Sequence, residues 1–225
     1  TCSKGIPTGF FVYYTFEEKS STRTKDVTGN KKDGTVSGTV TRDISGKVGK
    51  AYGFAGKGAI RIPTPDNVAG NQFSLCGWLY PESASGSSKT QDLLNVAPQN
   101  VANSFRLSYH TTSKTLSAQL KATRKSDKVN ISWKLPTLNY NKKLLIKEKD
   151  WNLLCLVIDS ASNIARLYLH GQEVDRVSIK GGLAGMGRTK SFVLVKSFWG
   201  RLDEVRIYKR ALTAGEVARF KAAYP

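Results

Sequence analysis

The chain has 225 residues, 40% hydrophobic and 23% charged, which is long enough to bury a sizeable core and too apolar for a disordered polymer. No run reaches the roughly eighteen consecutive apolar residues of a membrane helix; the longest candidate is the short LLCLVID at 153–159, so no membrane insertion is expected. The 35 Lys+Arg against 17 Asp+Glu give a net charge of +18, which attracts polyanions and says nothing about fold. Residues 112–150 hold ten Lys/Arg against three acids and 19–50 hold eight against three, so the excess is not a basic tail. The chain opens on Thr1-Cys2 without Met or an apolar leader, and any targeting segment is expected to have been removed or to lie upstream.

Apolar and aromatic stretches of five to nine residues recur along the chain, separated by Gly, Asn, Asp, Ser and Pro clusters. They predict strands near 10–16, 35–40, 50–55, 58–62, 73–80, 91–96, 104–110, 114–122 and 129–133. Five more are predicted near 151–159, 163–170, 173–180, 190–197 and 200–208. Phe105, Leu107 and Tyr109 alternate with Arg106 and Ser108, the period of two expected of a sheet buried on one side. Residues 151–159 are apolar on both faces and belong in mid-sheet with both sides covered. A turn at 159–163 and another at His170-Gly171 make the strands that follow antiparallel hairpin partners. Trp78, Trp151, Phe73, Leu75 and Leu79 are expected in the core.

One helix is predicted, over about 213–222, where Thr213 and Glu216 form a capping box and Leu212, Val217 and Phe220 an apolar stripe. No repeat or low-complexity linker divides the chain, so residues 1–225 read as one domain, an all-β sandwich closed by a short C-terminal helix.

Catalytic motifs are sparse. His110 and His170 are the two histidines, both in turn settings and without a G-x-S-x-G elbow. Glu173 and Asp175 alternate on one strand, as glycosidase carboxylates do, but no third acid follows. Glu17-Glu18 and Asp203-Glu204 are adjacent pairs whose members should point to opposite faces. GFAGKG at 53–58 opens no helix and reads as a tight hairpin rather than a phosphate loop. Three cysteines are too few for a disulfide scaffold; Cys76 and Cys155, in apolar runs, read as small buried hydrophobes, and no zinc spacing exists. Asn130-Ile131-Ser132 fits a glycosylation sequon.

Six segments in fixed order carry a family resemblance: YYTFEE (13–18), DVTGNKKDGTVSG (26–38), GKVGKAYGFAGKGAIRIP (46–63), FSLCGWLYP (73–81), WNLLCLVIDSASNIARLYLHGQEV (151–174) and GRLDEVRIYKRALTAGEVARF (200–220). The chain resembles the laminin G-like branch of the concanavalin A-like lectin/glucanase superfamily. The resemblance implies a jelly roll of two antiparallel sheets, and a non-catalytic module that binds glycans or proteins on a secreted or cell-surface protein. It also implies a structural calcium ion where the N-terminal strand meets the strand before the helix, at Glu17 and Asp203. Asp203 has other uses open to it, pairing with Arg206 or capping a backbone N–H. For the ligand surface, Trp133, Tyr140 and Trp199 stand outside the family's core pattern, each beside cations: Lys134 follows Trp133, Lys142 and Lys143 follow Tyr140, and Arg201 follows Trp199. Aromatic faces stack on sugar rings while Lys and Arg take sulfate or carboxylate. The expected partner is therefore an extracellular glycan, sulfated, sialylated or uronate-containing, with non-specific polyanion binding beside it. The alternative is a protein–protein module in a pilus or surface layer.

Overall fold

The structure, a computed structural model, describes residues 6–63, 72–82, 89–96, 104–113, 115–123, 128–132, 146–159, 161–178 and 191–224. The first half holds β1 (Phe10–Tyr14), β2 (Arg23–Thr24), β3 (Gly34–Ser37), β4 (Val40–Ser45), β5 (Lys50–Ala55), β6 (Ala59–Pro63), β7 (Gln72–Pro81) and β8 (Thr90–Val96). The second holds β9 (Ser104–His110), β10 (Thr115–Thr123), β11 (Lys128–Ser132), β12 (Asn152–Asp159), β13 (Ile164–Leu169), β14 (Gln172–Ser178), β15 (Ser191–Lys196), β16 (Trp199–Tyr208) and the helix α1 (Ala214–Ala222). They form two antiparallel eight-stranded sheets packed as a jelly-roll sandwich. The first runs β14-β13-β12-β7-β16-β5-β4, with β1 also on β16; the second runs β11-β10-β9-β8-β15-β6-β3-β2.

The alternation read from the sequence decides which side chains meet between the sheets. Phe73 and Leu79 of β7, Leu154, Leu156 and Ile158 of β12, and Leu107 and Tyr109 of β9 join one buried cluster there. The opposite side of β7 and β12 carries Cys76, Trp78, Leu153, Cys155 and Val157, which α1 covers with Val217 and Phe220. The strand predicted to be covered on both faces is so covered. Trp78 is buried as expected, whereas Trp151 and Leu75 are only partly so.

The cysteine reading needs correction. Cys76 and Cys155 face each other in the β7–β12 register, their Cα atoms 4.2 Å apart, and form a disulfide beneath α1. Residues 79 apart in sequence are neighbours only because two strands pair, a relation that no local spacing displays.

The hairpin expected at 53–58 is also corrected. β5 lies in the first sheet and β6 in the second. β3 pairs with β6 and β4 with β5, so one long ladder bends from sheet to sheet at residues 38–39 and 56–58. Gly38 sits at the bend with φ 72°, and a Cβ there would strike the Lys57 carbonyl, so the corner admits glycine alone. The turn at His170-Gly171 is, by contrast, a hairpin: both residues have positive φ, 52° and 84°, and β13 and β14 pair on either side.

Candidate functional site

Strand β16 changes partners halfway along. Its first residues, Trp199–Leu202, pair with β5, and its last, Val205–Tyr208, pair with β1. At the handover the pairing with β7 slips between Asp203 and Arg206, and Glu204 adopts φ 54°. The bulge overturns the expectation that Asp203 and Glu204 face opposite ways. Leu202 and Val205 both enter the core between the sheets, and the two acids between them lie on the other side.

The acids have different tasks. Glu204 is buried and bonds Arg206 at 2.6 Å, with the Tyr13 and Tyr224 hydroxyls donating to the same carboxylate. Arg206 lies 3.8 Å from the Tyr13 ring centroid, so the cluster ties β1 and the end of α1 to the sheet. Arg206 therefore pairs with Glu204 and not with Asp203.

Asp203 is fully buried, and its Oδ2 accepts the Val48 N–H at 2.9 Å. Its Oδ1 is a buried oxygen without a hydrogen-bond partner. Burial pushes the carboxyl up to about 8, against the lowering effect of the Val48 N–H, and neighbouring Glu204 adds to the rise. The turn that supplies Val48 also reaches Glu17, whose Oε1 accepts the Lys50 N–H at 3.0 Å. Gly46 and Gly49 keep this turn open: a Cβ on Gly46 would meet Asp203 Oδ2, and one on Gly49 would meet the Glu17 carboxylate. The two acids singled out for calcium are thus brought to one turn from β16 and from the chain after β1. A buried, unpartnered carboxylate oxygen suits a hard cation. Among the described residues no group of three His, Cys, Asp or Glu converges, so backbone carbonyls and water would have to complete a calcium shell.

Two residues before Asp203, on the same face, lies Arg201. Its guanidinium stacks 4.7 Å from the Tyr80 ring centroid, donates to Glu82 at 3.2 Å and reaches the Ser45 carbonyl at 3.4 Å. Tyr80 in turn lies 5.3 Å from Trp151, centroid to centroid. All four side chains are partly exposed, and they form a shallow row across β12, β7 and β16 beyond the reach of α1. Trp199 stands at the end of β16 with its indole over Gly56. Trp199 and Arg201 are thus placed on one partly open surface, while Trp133, Tyr140, Lys142 and Lys143 lie outside the described residues, as does the Asn130 side chain. Sequence reasoning missed Tyr80 and Trp151, assigning Trp151 to the core. Tyr80 follows the inward Leu79, so alternation alone could have turned it outward.

The same geometry rearranges the carboxylates and places the histidine weighed for catalysis. The β13–β14 register slips between Leu167 and Tyr168, so Glu173 pairs with outward Tyr168 and Asp175 with inward Leu167, and the two do not share a face. Glu173 is engaged by Arg176 and Arg166. His110 exchanges hydrogen bonds with Ser117 and Thr90, 2.7 and 3.3 Å away. A cavity of about 30 Å³ between the sheets is lined by residues such as Leu79, Leu107, Leu202 and Val205, with no side-chain polar group to orient a sugar.

The profile of the concanavalin A-like lectin/glucanases superfamily matches residues 54–218. No curated protein sequence matches the chain. Among solved structures, domain 4 of AbnA, a GH43 extracellular arabinanase from Geobacillus stearothermophilus in complex with arabinotriose, aligns with TM-score 0.60 and 22% identity over 96% of this chain and 98% of its own. The binding domain of Paraclostridial Mosquitocidal Protein 1 aligns at 0.69 and 18%, and that of botulinum neurotoxin DC, in complex with rat synaptotagmin II, at 0.68 and 14%. This chain spans 52% of each of those two. At these identities the likeness is one of fold. Among the described residues no helix is long and apolar enough to cross a membrane.

Proposed function

The chain belongs to the concanavalin A-like lectin/glucanase superfamily, and on that footing we propose that it is a non-catalytic, extracellular glycan-binding module. The observation that carries the reading is the Trp151–Tyr80–Arg201–Glu82 row. Two adjoining aromatic rings offer faces for the C–H side of a sugar, and a paired guanidinium and carboxylate offer donors and acceptors for its hydroxyls. Arg201 is already neutralised by Glu82, so this row suits an uncharged sugar rather than the anionic one its arginine first suggests. That structural neighbours include two binding domains and a further domain in complex with arabinotriose supports a binding role. The buried Cys76–Cys155 disulfide supports an oxidising compartment outside the cytosol. A structural calcium ion beside the row would be held by Asp203 and Glu17.

A glycan array followed by calorimetry on the hits tests the reading. Replacing Trp151 with Ala should weaken binding about tenfold, the loss of one well-stacked ring. Arg201→Ala should weaken it comparably. Silence across the array would overturn the proposal in favour of a protein partner in a larger surface assembly. Release of shorter sugars on incubation would overturn it in favour of an enzyme.

A further inference from the structure

The outer face of the second sheet is built differently from that of the first. Registers across its strands line up Arg23, Thr35, Arg61, Val193, Asn95 and Arg106 in a single row, from β2 through β3, β6, β15 and β8 to β9. Each arginine faces outward because the neighbours on its own strand are buried: Thr24 beside Arg23, Ile60 and Ile62 beside Arg61, Leu107 beside Arg106. All three arginines are exposed. At about 4.8 Å per strand, Arg23 and Arg61 stand about 10 Å apart, and Arg61 and Arg106 about 14 Å. The next row places exposed Lys196 opposite Asp92. Asp92, 6% exposed, receives Arg106 Nε at 2.6 Å and the Ser108 hydroxyl at 3.0 Å, which fixes the Arg106 guanidinium against the sheet.

We infer that this face binds a linear acidic polysaccharide laid across the strands, its carboxylate or sulfate groups meeting the arginines in turn. Charge complementarity selects a polyanion: Arg23, Arg61, Arg106 and Lys196 are exposed on these two rows against one acid, the buried Asp92 that pairs with Arg106, which leaves a net positive face on a chain carrying +18. The choice of glycan over nucleic acid rests on the residues between the cations. None of the outward positions in the two rows is aromatic, so there is no platform on which bases could stack. Thr35 and Asn95 instead offer the hydroxyl and amide groups that a hydroxyl-rich polymer uses. Three arginines set wide apart in a line also match charges spaced along a chain better than a single compact phosphate. The surface is separate from the Trp151–Tyr80–Arg201 row, which lies on the other sheet.

The test is binding of the whole chain to immobilised heparin fragments across a range of salt. Arg23→Glu with Arg61→Glu should weaken binding about tenfold or more at low salt and flatten its salt dependence, since fewer counterions are released. Lys209→Glu with Arg219→Glu makes the same charge change on the other side of the sandwich and should cost clearly less. Trp151→Ala should leave heparin binding unchanged, so failure here is distinct from failure of the sugar row. Equal losses in the two charge-reversal pairs, or none in the first, would overturn the inference. So would equal displacement of heparin by an oligothymidylate of the same charge, which would make the face a site for phosphate polymers.

Discussion

Cys76 and Cys155 show how far a residue's neighbours in sequence describe its neighbours in space. Each sits in an apolar run and each is buried, but the bond between them depends on strands paired across 79 residues. A cross-link closing a loop of that length restricts the unfolded chain strongly, and its removal should cost about 2–4 kcal/mol. Thermal melts of a Cys76→Ala/Cys155→Ala variant check this, and alkylation of the unreduced protein should label Cys2 alone. An unchanged melt, or three reactive thiols in the native protein, would overturn both the cross-link and its support for an oxidising compartment. Asp203 and Glu204 teach a related lesson. Their types and place on a strand were legible, but the bulge that sends both to one side was not, because it arises where β16 exchanges β5 for β1. Tyr80 and Trp151 were legible only as apolar residues; which apolar residues stay partly open depends on where α1 stops.

At the scale of elements the sequence spoke most clearly where signals are local. The helix was readable to within a residue, because Thr213 and Glu216 cap it reciprocally and Val217 and Phe220 fill the space over β7 and β12. Glu216 also receives Arg210 through both guanidinium nitrogens, at 2.6 and 2.8 Å. That pairing first, and the Thr213 backbone N–H after it, lower the Glu216 carboxyl to about 2. A depressed carboxyl stabilises the fold above its unfolded value near 4.5, and that contribution is lost as the pH falls toward 2. Solvent screens the pair, so the effect is modest. Glu216→Gln should therefore lower the melting temperature at pH 6 while narrowing its difference from the parent at pH 2; parallel curves would show that the pair contributes nothing. The β3–β6 ladder was only half legible. Its strands show in the pattern, but the corner that carries them between sheets lies in the conformations of Gly38 and the residues around Gly56, which alternation does not encode.

For the whole molecule, the fold class followed from periodicity, while the division of labour between its surfaces followed from what covers each sheet. The first sheet is roofed by α1 and clasped at one end by the turn between Gly46 and Lys50, beside which the aromatic row lies. The second leaves its cations facing solvent. The clasp is where a bound ion would act on the entire sandwich, since Glu17 follows β1, the turn precedes β5, and Asp203 lies at the point where β16 passes from one to the other. An ion that binds the folded chain alone stabilises it by about 2.7 kcal/mol at a hundredfold excess over its Kd. Millimolar calcium should then raise the melting temperature by several degrees. Magnesium should do less, because its small octahedral shell fits poorly between a turn and two acids fixed by other bonds. Asp203→Asn should abolish the calcium response while keeping the Val48 hydrogen bond within reach of its side-chain carbonyl. A melting curve indifferent to calcium would leave Asp203 as a buried carboxyl that keeps its proton, which its raised pKa permits, and the clasp would hold by hydrogen bonds alone.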